Sequence, residues 1–220
     1  FLLEIYWKRT RVEANILDYF ISISFFPVFL MGPIQRLSHF KPQIESRRVF
    51  HSGTLLRGIF FIFLGLFKLV AISTPLDRII NLSHDMGIQT YGLGLLSYCF
   101  LAFMKLYAEF SGFIDVVTGI SLCLGLKVIK NFDQPYFAKN VNDVWKRWHI
   151  SLTSWLRDFI FMPLLLMTKN IHFSAIIVLL LVGVWHGTKA SIFYWGPYWA
   201  LTYLLYAAYL QLSPAKKVIL

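Results

Sequence analysis

Acidic side chains are scarce here: 11 Asp and Glu stand against 21 Lys and Arg in 220 residues, and charged residues of both signs make up only 15%. That is too little charge for an ordinary soluble surface, since charged residues are about 25% of a typical globular domain. Cysteine is rarer still. Cys99 and Cys123 both sit in apolar runs without metal-ligand spacing, where free cysteine behaves as a small hydrophobe. The motifs GxxxxGKS/T, Gly-x-Ser-x-Gly, HExxH and CxxC are all missing, so nucleotide hydrolysis, serine hydrolase chemistry and zinc sites lack support. The net charge of +10 could suit nucleic acid, but the basic residues are not interleaved with any RNA- or DNA-binding motif. A nucleic-acid partner is therefore not expected. There is no internal repeat, no low-complexity tract and no charged-then-apolar signal segment with a small-residue cleavage site. The chain opens on Phe1 and stops at Leu220, and the expectation is a fragment of a longer protein, incomplete at both ends.

What is present is apolar. The chain is 57% hydrophobic and 18% aromatic, with mean hydropathy +0.62, against about 45–50% apolar for soluble domains. Runs approaching the roughly 20 residues that cross a bilayer predict an all-α, multi-pass membrane protein. The candidate spans are Ile16 to Ile34 (carrying Pro27 and Pro33), Thr54 to Ser73, Tyr91 to Tyr107, Gly112 to Val128 and Ser191 to Leu212, with Ser174 to His186 too short for a full crossing. Between them, Gln35 to Gly53 is basic through Arg36, Lys41, Arg47 and Arg48, Thr74 to Thr90 is balanced, and Lys127 to Arg147 is basic again. The cytoplasmic bias of Lys and Arg puts the first and third loops inside and the second outside. That requires an odd number of crossings between Thr90 and Lys127, whereas two spans give an even one. A half-crossing, re-entrant element would reconcile them if buried in protein or lining a wet cavity.

Residues Asn140 to Phe161 predict one amphipathic helix lying at the interface or dipping into a protein-lined cavity. Asn140 would cap it with Asp143 in a capping-box arrangement, and Pro163 would end it. Arg147, Ser151, Ser154 and Asp158 fall on one face, with Trp145, Trp148, Leu152 and Trp155 on another. Asp143 with Arg147, and Ser154 with Asp158, are spaced to pair along the surface; such charges either solvate a face or bind an anionic donor or headgroup.

Ionisable side chains in membrane segments are costly and mark candidate functional sites. His186 follows the apolar run Ala175 to Val184 and precedes Gly187. A near-neutral imidazole there suits a general base for a hydroxyl acceptor; it also suits a histidine that hydrogen-bonds a carbonyl and holds two helices. His149, between two faces of its helix, either orients substrate, relays a proton or packs under the indoles of an interfacial belt. Glu109 and Asp115 read as an ion site, a proton path, or charges paired with Lys105 or Lys127. His39, His51, His84 and His172 are expected in exposed loops.

Four blocks in order carry a resemblance: FFPVFLMGPIQR (Phe25 to Arg36), YAEFSGFIDVVTGI (Tyr107 to Ile120), NFDQPYFAKNVNDVWKRWHISLTSWLRDFIFMPL (Asn131 to Leu164) and GVWHG (Gly183 to Gly187). They resemble the membrane-bound O-acyltransferase family, in its bacterial branch of alginate-acetylation and teichoic-acid D-alanylation proteins, over nearly the whole chain. The resemblance implies a single polytopic domain, 1–220, with re-entrant or interfacial helices around a narrow central channel in the bacterial cytoplasmic (inner) membrane. It implies transfer of an acyl group, most simply acetyl, from a cytoplasmic thioester donor (acyl-CoA or acyl-carrier protein) to a hydroxyl of an exported polysaccharide or envelope polymer, with D-alanyl transfer to teichoic acid as the alternative. His186 falls on the family's presumed catalytic histidine and His149 on the histidine near the channel centre. Asn140 or Asn142 would polarise the carbonyl, and Arg147, Trp148, Ser151 and Trp185, beside the two histidines, complete the expected substrate contacts. Membrane lipid is an expected partner, and accessory proteins on the periplasmic or extracellular side are compatible with this scheme. The chemistry calls for no metal and no organic cofactor. Two departures from the alginate-type pattern stand out: Pro163-Leu164 continues into Leu165-Leu166 where Gly-Gly is usual, and the loop before the WHG helix is short. A proton-coupled transporter built on Glu109, Asp115 and the histidines is the rival of another class, and a scaffold anchoring soluble partners through the basic loops is a third reading.

Overall fold

The computed structural model describes residues 2–7, 13, 15–29, 31–46, 51–87, 91–187 and 191–212. Arg47 and Arg48 of the first basic loop lie outside the described residues. Those that are described form helices and connections with no strand among them, as an all-α membrane protein requires. They group into two compact units, Phe1–Asn131 and Phe132–Leu220.

The N-terminal unit holds α1 (Leu2–Tyr6), α2 (Ile16–Ser24), α3 (Leu37–Glu45), α4 (Ser52–Phe67), α5 (Thr74–Asp85) and α6 (Gly92–Cys123). The expected span Ile16 to Ile34 does not form. Its helix stops at Ser24 after 9 residues, and a short 3₁₀ turn, Phe26–Val28, carries Pro27. Proline lacks the N–H that would continue the ladder. Charged groups anchor this region: Glu4, 5% exposed, accepts from the Leu37 amide at the head of α3 (3.0 Å) and lies 3.4 Å from Arg36. Lys41 reaches Asp18 (2.8 Å) and the Glu13 carbonyl (2.6 Å). That contact, followed by the Asn15 amide, holds the Asp18 carboxyl below its ordinary range, and Asp18 in turn raises Lys41.

α4 and α5 form one helical run, Ser52–Asp85, 34 residues long. The expected loop beginning at Thr74 is thus helical to Asp85. A π turn, Lys68–Ser73, precedes Pro75, and the hydroxyl of Thr74 donates to the Leu69 carbonyl at 3.0 Å. The widened turn lets proline enter a first-turn position, where its missing N–H breaks no helical bond.

The expected spans Tyr91 to Tyr107 and Gly112 to Val128 are likewise one helix, α6, of 32 residues. At 1.5 Å per residue it is about 48 Å long, enough to cross a hydrocarbon core of about 30 Å with turns to spare. The charges that make the middle look like a break are paired sideways: Lys105 lies 2.9 Å from Glu109 and 3.3 Å from Asp77, and Asp115 lies 2.6 Å from Lys68. Glu109 therefore has its expected partner, while the partner of Asp115 is Lys68 rather than Lys127. One helix between Thr90 and Lys127 makes the crossing number odd, as the Lys/Arg distribution requires, and no re-entrant element is needed there. Gln43 of α3 also bonds both the amide (2.8 Å) and the carbonyl (3.0 Å) of Lys127, joining the first and third basic segments. α6 stops in a Schellman turn at Gly125, φ 75°, with Gly125 N–H on Leu122 O and Leu126 N–H on Ser121 O.

α6 packs antiparallel on α4 through glycines seven residues apart on each: Gly58 faces Gly119 and Cys123, and Gly65 faces Gly112 and Val116. Small residues let helix backbones approach closely in lipid, where no hydrophobic force between helices is available.

The C-terminal unit contains α7 (Val141–Arg147), α8 (Ile150–Leu156), a π turn (Arg157–Phe161), α9 (Met162–Thr168), α10 (Ile171–Trp185), a second π turn (Ser191–Trp195) and α11 (Gly196–Leu212). The single helix expected from Asn140 to Phe161 is broken. α7 ends at Arg147, Trp148 is extended, and His149 takes φ 44°, ψ 54° before α8 begins. Pro163 does not end the pattern either, because it sits in the first turn of α9 after the π turn. The result is an apolar run, Ile150–Thr168, which with Ser52–Asp85 and Gly92–Cys123 makes three runs long and apolar enough to cross a membrane by length and composition. Ser191–Leu212 is helical throughout but is outside that set; its tyrosines and tryptophans suit an interface better than a hydrocarbon core. α11 packs on α10, with Gly196 against Leu179, Leu180 and Gly183.

Candidate active site

The break between α7 and α8 is what places His149. Asn140 caps α7 as expected, its Oδ1 accepting the Asp143 amide at 2.9 Å. The reciprocal bond of a capping box shifts by one residue: Asp143 Oδ2 accepts from Lys139 N–H at 3.0 Å. With Arg147 beside it, that bond holds the Asp143 carboxyl below the usual range. Arg147 Nε lies 2.9 Å from Asp143 Oδ1, and Nη1 donates to the Asp133 carbonyl at 3.2 Å. The Asp133 amide donates back to the Arg147 carbonyl at 2.9 Å. Asn140 and Arg147, both expected to meet substrate, therefore have structural duties. Arg147→Lys keeps the charge but loses the fork that spans both oxygens. We expect it to destabilise the protein by about 1 kcal/mol, read as a lower melting temperature in detergent, with no change expected for Lys146→Arg.

Trp148 packs edge-on against Phe132, ring centroids 5.1 Å apart. His149 then adopts the left-handed backbone, a conformation that costs a non-glycine residue about 1–3 kcal/mol and is concentrated at functional sites. Its carbonyl accepts the first bond of α8, from Thr153 N–H at 3.0 Å. Ser151, the second residue of α8, is 1% exposed.

His186 ends α10, its amide on the Val182 carbonyl, and Gly187 turns the chain with φ 73°. The imidazole is exposed and flanked by two indoles: Trp185 at 5.1 Å and Trp195 at 4.8 Å between centroids. His149 and His186 stand close enough for charge on one to disfavour charge on the other. The unit thus brings together the two histidines singled out in the sequence.

A cavity of about 210 Å³ lies among α7, α8, α10 and α11. Trp145, Leu156, Val178 and Val182 supply apolar wall; Asn142, Thr153, Arg157 and Tyr203 supply polar groups. Of the expected substrate contacts only Asn142 lines it; Trp185 is 63% exposed at the surface. Ser154 donates to the Ser151 carbonyl, and Asp158 lies 2.9 Å from Arg157. His39, His51 and His84 are exposed as expected, although His39 lies in α3 and His84 in α5 rather than in loops. His172 is not: it lies in α10, half-buried, and shares a 3.1 Å hydrogen bond with the Tyr203 hydroxyl. Among the described residues no three His, Cys, Asp or Glu side chains group as metal ligands.

Trp195 is the site neighbour that sequence reasoning missed. It lies nine positions past His186 in a run dense with aromatics, and no spacing rule distinguishes it from Tyr194 or Trp199.

Comparison with known proteins gives the family of the chain. The chain is 30% identical, over its whole length, to 44% of a probable alginate O-acetylase of Azotobacter vinelandii. It is 32% identical over 89% of its length to 38% of a peptidoglycan O-acetyltransferase of Helicobacter pylori. It is 30% identical over 90% of its length to 53% of a teichoic acid D-alanyltransferase of Bacillus subtilis. The chain thus spans about half, or less, of the curated relatives it matches. The model of the membrane-bound O-acyltransferase family matches residues 8–216; with three helical runs long and apolar enough to cross a bilayer, this chain belongs to that family.

Proposed function

We propose that this chain is the catalytic part of a membrane O-acyltransferase. It moves an acyl group, acetyl in the first instance, from a cytoplasmic thioester of coenzyme A or a carrier protein to a hydroxyl of an exported polysaccharide or envelope polymer. It does so as one multi-pass domain around a central channel in the bacterial cytoplasmic membrane. The observation that carries this reading is the juxtaposition of His149 and His186 in one unit of a chain from this family.

In this reading neutral His186 accepts the hydroxyl proton as the oxygen attacks the thioester carbonyl. The C–O bond forms, the C–S bond breaks, and the thiolate leaves with the proton that His186 has held. His149 orients the acceptor or the thioester. With its neighbour in electrostatic range, charge on one imidazole disfavours charge on the other. Asn142, on the cavity wall, is the remaining candidate for polarising the carbonyl.

D-alanyl transfer is the second reading, favoured by the similar identity to the teichoic acid D-alanyltransferase. One experiment tests the reaction and separates the branches. Cells with and without the full-length protein are compared for ester-linked acyl groups released from purified envelope polymer by mild alkali. Released acetate that depends on the protein supports O-acetylation, and released alanine moves the assignment to D-alanylation. Identical acyl content in both cultures overturns acyl transfer.

A further inference from the structure

We propose that Trp195 is a positioning residue for His186, seated between that imidazole and the helix that leads to His149. The inference rests on the proposed role of His186 as the base. The indole of Trp195 is tilted 59° against the imidazole, 4.8 Å between centroids. Its far surroundings are two more indoles: Trp145 of α7 at 6.0 Å, edge-on at 88°, and Trp199 of α11 at 6.1 Å. Trp145 and Trp199 themselves meet at 5.1 Å. Trp145 precedes His149 by four residues, just before the backbone turns at φ 44°. A chain of ring contacts, Trp145 to Trp195 to His186, thus couples the two segments that carry the histidines.

His186 stands exposed at the end of its helix; its own element supplies the ring of Trp185, and Trp195 is the ring that reaches it from another element. An edge-to-face or tilted aromatic neighbour holds a ring by its quadrupole as well as by contact. A base displaced by about 1 Å loses on the order of 10²-fold in rate, so removing the neighbour should act on turnover.

The test uses the full-length protein in membranes, with turnover and KM for the thioester donor measured per folded enzyme. Trp195→Leu is expected to lower kcat by about tenfold to a hundredfold with KM within about twofold of wild type. Trp195→Phe, which restores a ring, should return kcat to within about threefold. Undiminished kcat in the leucine variant, or equal damage in folded leucine and phenylalanine variants, overturns the proposal. If Trp195→Leu does not accumulate, Trp195→Met, which keeps apolar volume without a ring, is read in its place against the same expectation. His186→Ala in the same assay separates the two ideas. An inactive His186→Ala with a fully active Trp195→Leu sinks positioning alone; a fully active His186→Ala sinks the base and this inference with it.

Discussion

His186→Ala is expected to lower acyl transfer by the full-length protein by about 10²–10⁴-fold, the contribution of a positioned general base, at unchanged membrane abundance. The side chain sits at the exposed end of α10, and its ring meets only Trp185 and Trp195 among the ring contacts of the described residues. Truncation there leaves no buried cavity and breaks no helical hydrogen bond, since the amide of residue 186 still reaches the Val182 carbonyl. A loss of rate would therefore report chemistry rather than unfolding. His149→Ala differs. His149 occupies a left-handed position that alanine tolerates poorly, so a stability loss would accompany any loss of rate; His149→Asn, which enters that region more readily, is the cleaner probe. If the two histidines act on one substrate, the double variant should be little worse than His186→Ala alone, because residues acting as a unit are not additive. The check is acyl incorporation per unit of membrane protein. Activity of His186→Ala within about threefold of wild type would leave it the helix-holding role that its sequence position also allowed.

The helical class, the membrane setting and the two histidines were legible because each is a local signal: apolar run length, Lys/Arg bias, and an imidazole where charge is costly. Helix continuity was not. Lys105, Glu109 and Asp115 look like a break in α6 until Asp77 and Lys68, on the neighbouring run, are seen to pair with them. Those partners lie far away in sequence, so periodicity cannot supply them. The opposite error occurred at Trp148 and His149, where a good helical pattern hides a turn. That turn is held by Arg147 on the Asp133 carbonyl, again a contact between separate stretches. Proline misled at Pro163: the π turn before it, like the one before Pro75, removes the conflict that proline normally has with the preceding turn. Trp195 comes beside His186 where the helix that follows it packs on α10, a placement that no spacing encodes.

Gly65→Val is expected to prevent accumulation of folded protein, the largest stability effect in the N-terminal unit. A Cβ at Gly65 would run into the carbonyl oxygen of Gly112 and lie 2.7 Å from Val116 Cγ2 and 2.8 Å from Val116 N. Two of those three atoms are backbone, so no rotamer change relieves the clash and the helices must part. Overpacking of a tight contact typically costs about 1–3 kcal/mol, and here the loss spreads. Gly58 meets the Gly119 carbonyl in the same way, at 2.8 Å from its own would-be Cβ, so displacing α6 at Gly65 loosens the contact two turns away. The same displacement pulls Asp115 from Lys68, now 2.6 Å apart and partly buried at 17% and 22% side-chain exposure. Separating such a pair leaves two charges in a poor solvent for them. Gly53→Ala, on the same helix with open space around it, is the control and should match wild type in yield. Monodisperse protein recovered in detergent, with its melting temperature, decides the matter. A Gly65→Val protein recovered at wild-type yield and melting temperature would mean that α4 and α6 do not touch at these glycines, and the pairing of Lys68 with Asp115 would then need another explanation than helix register.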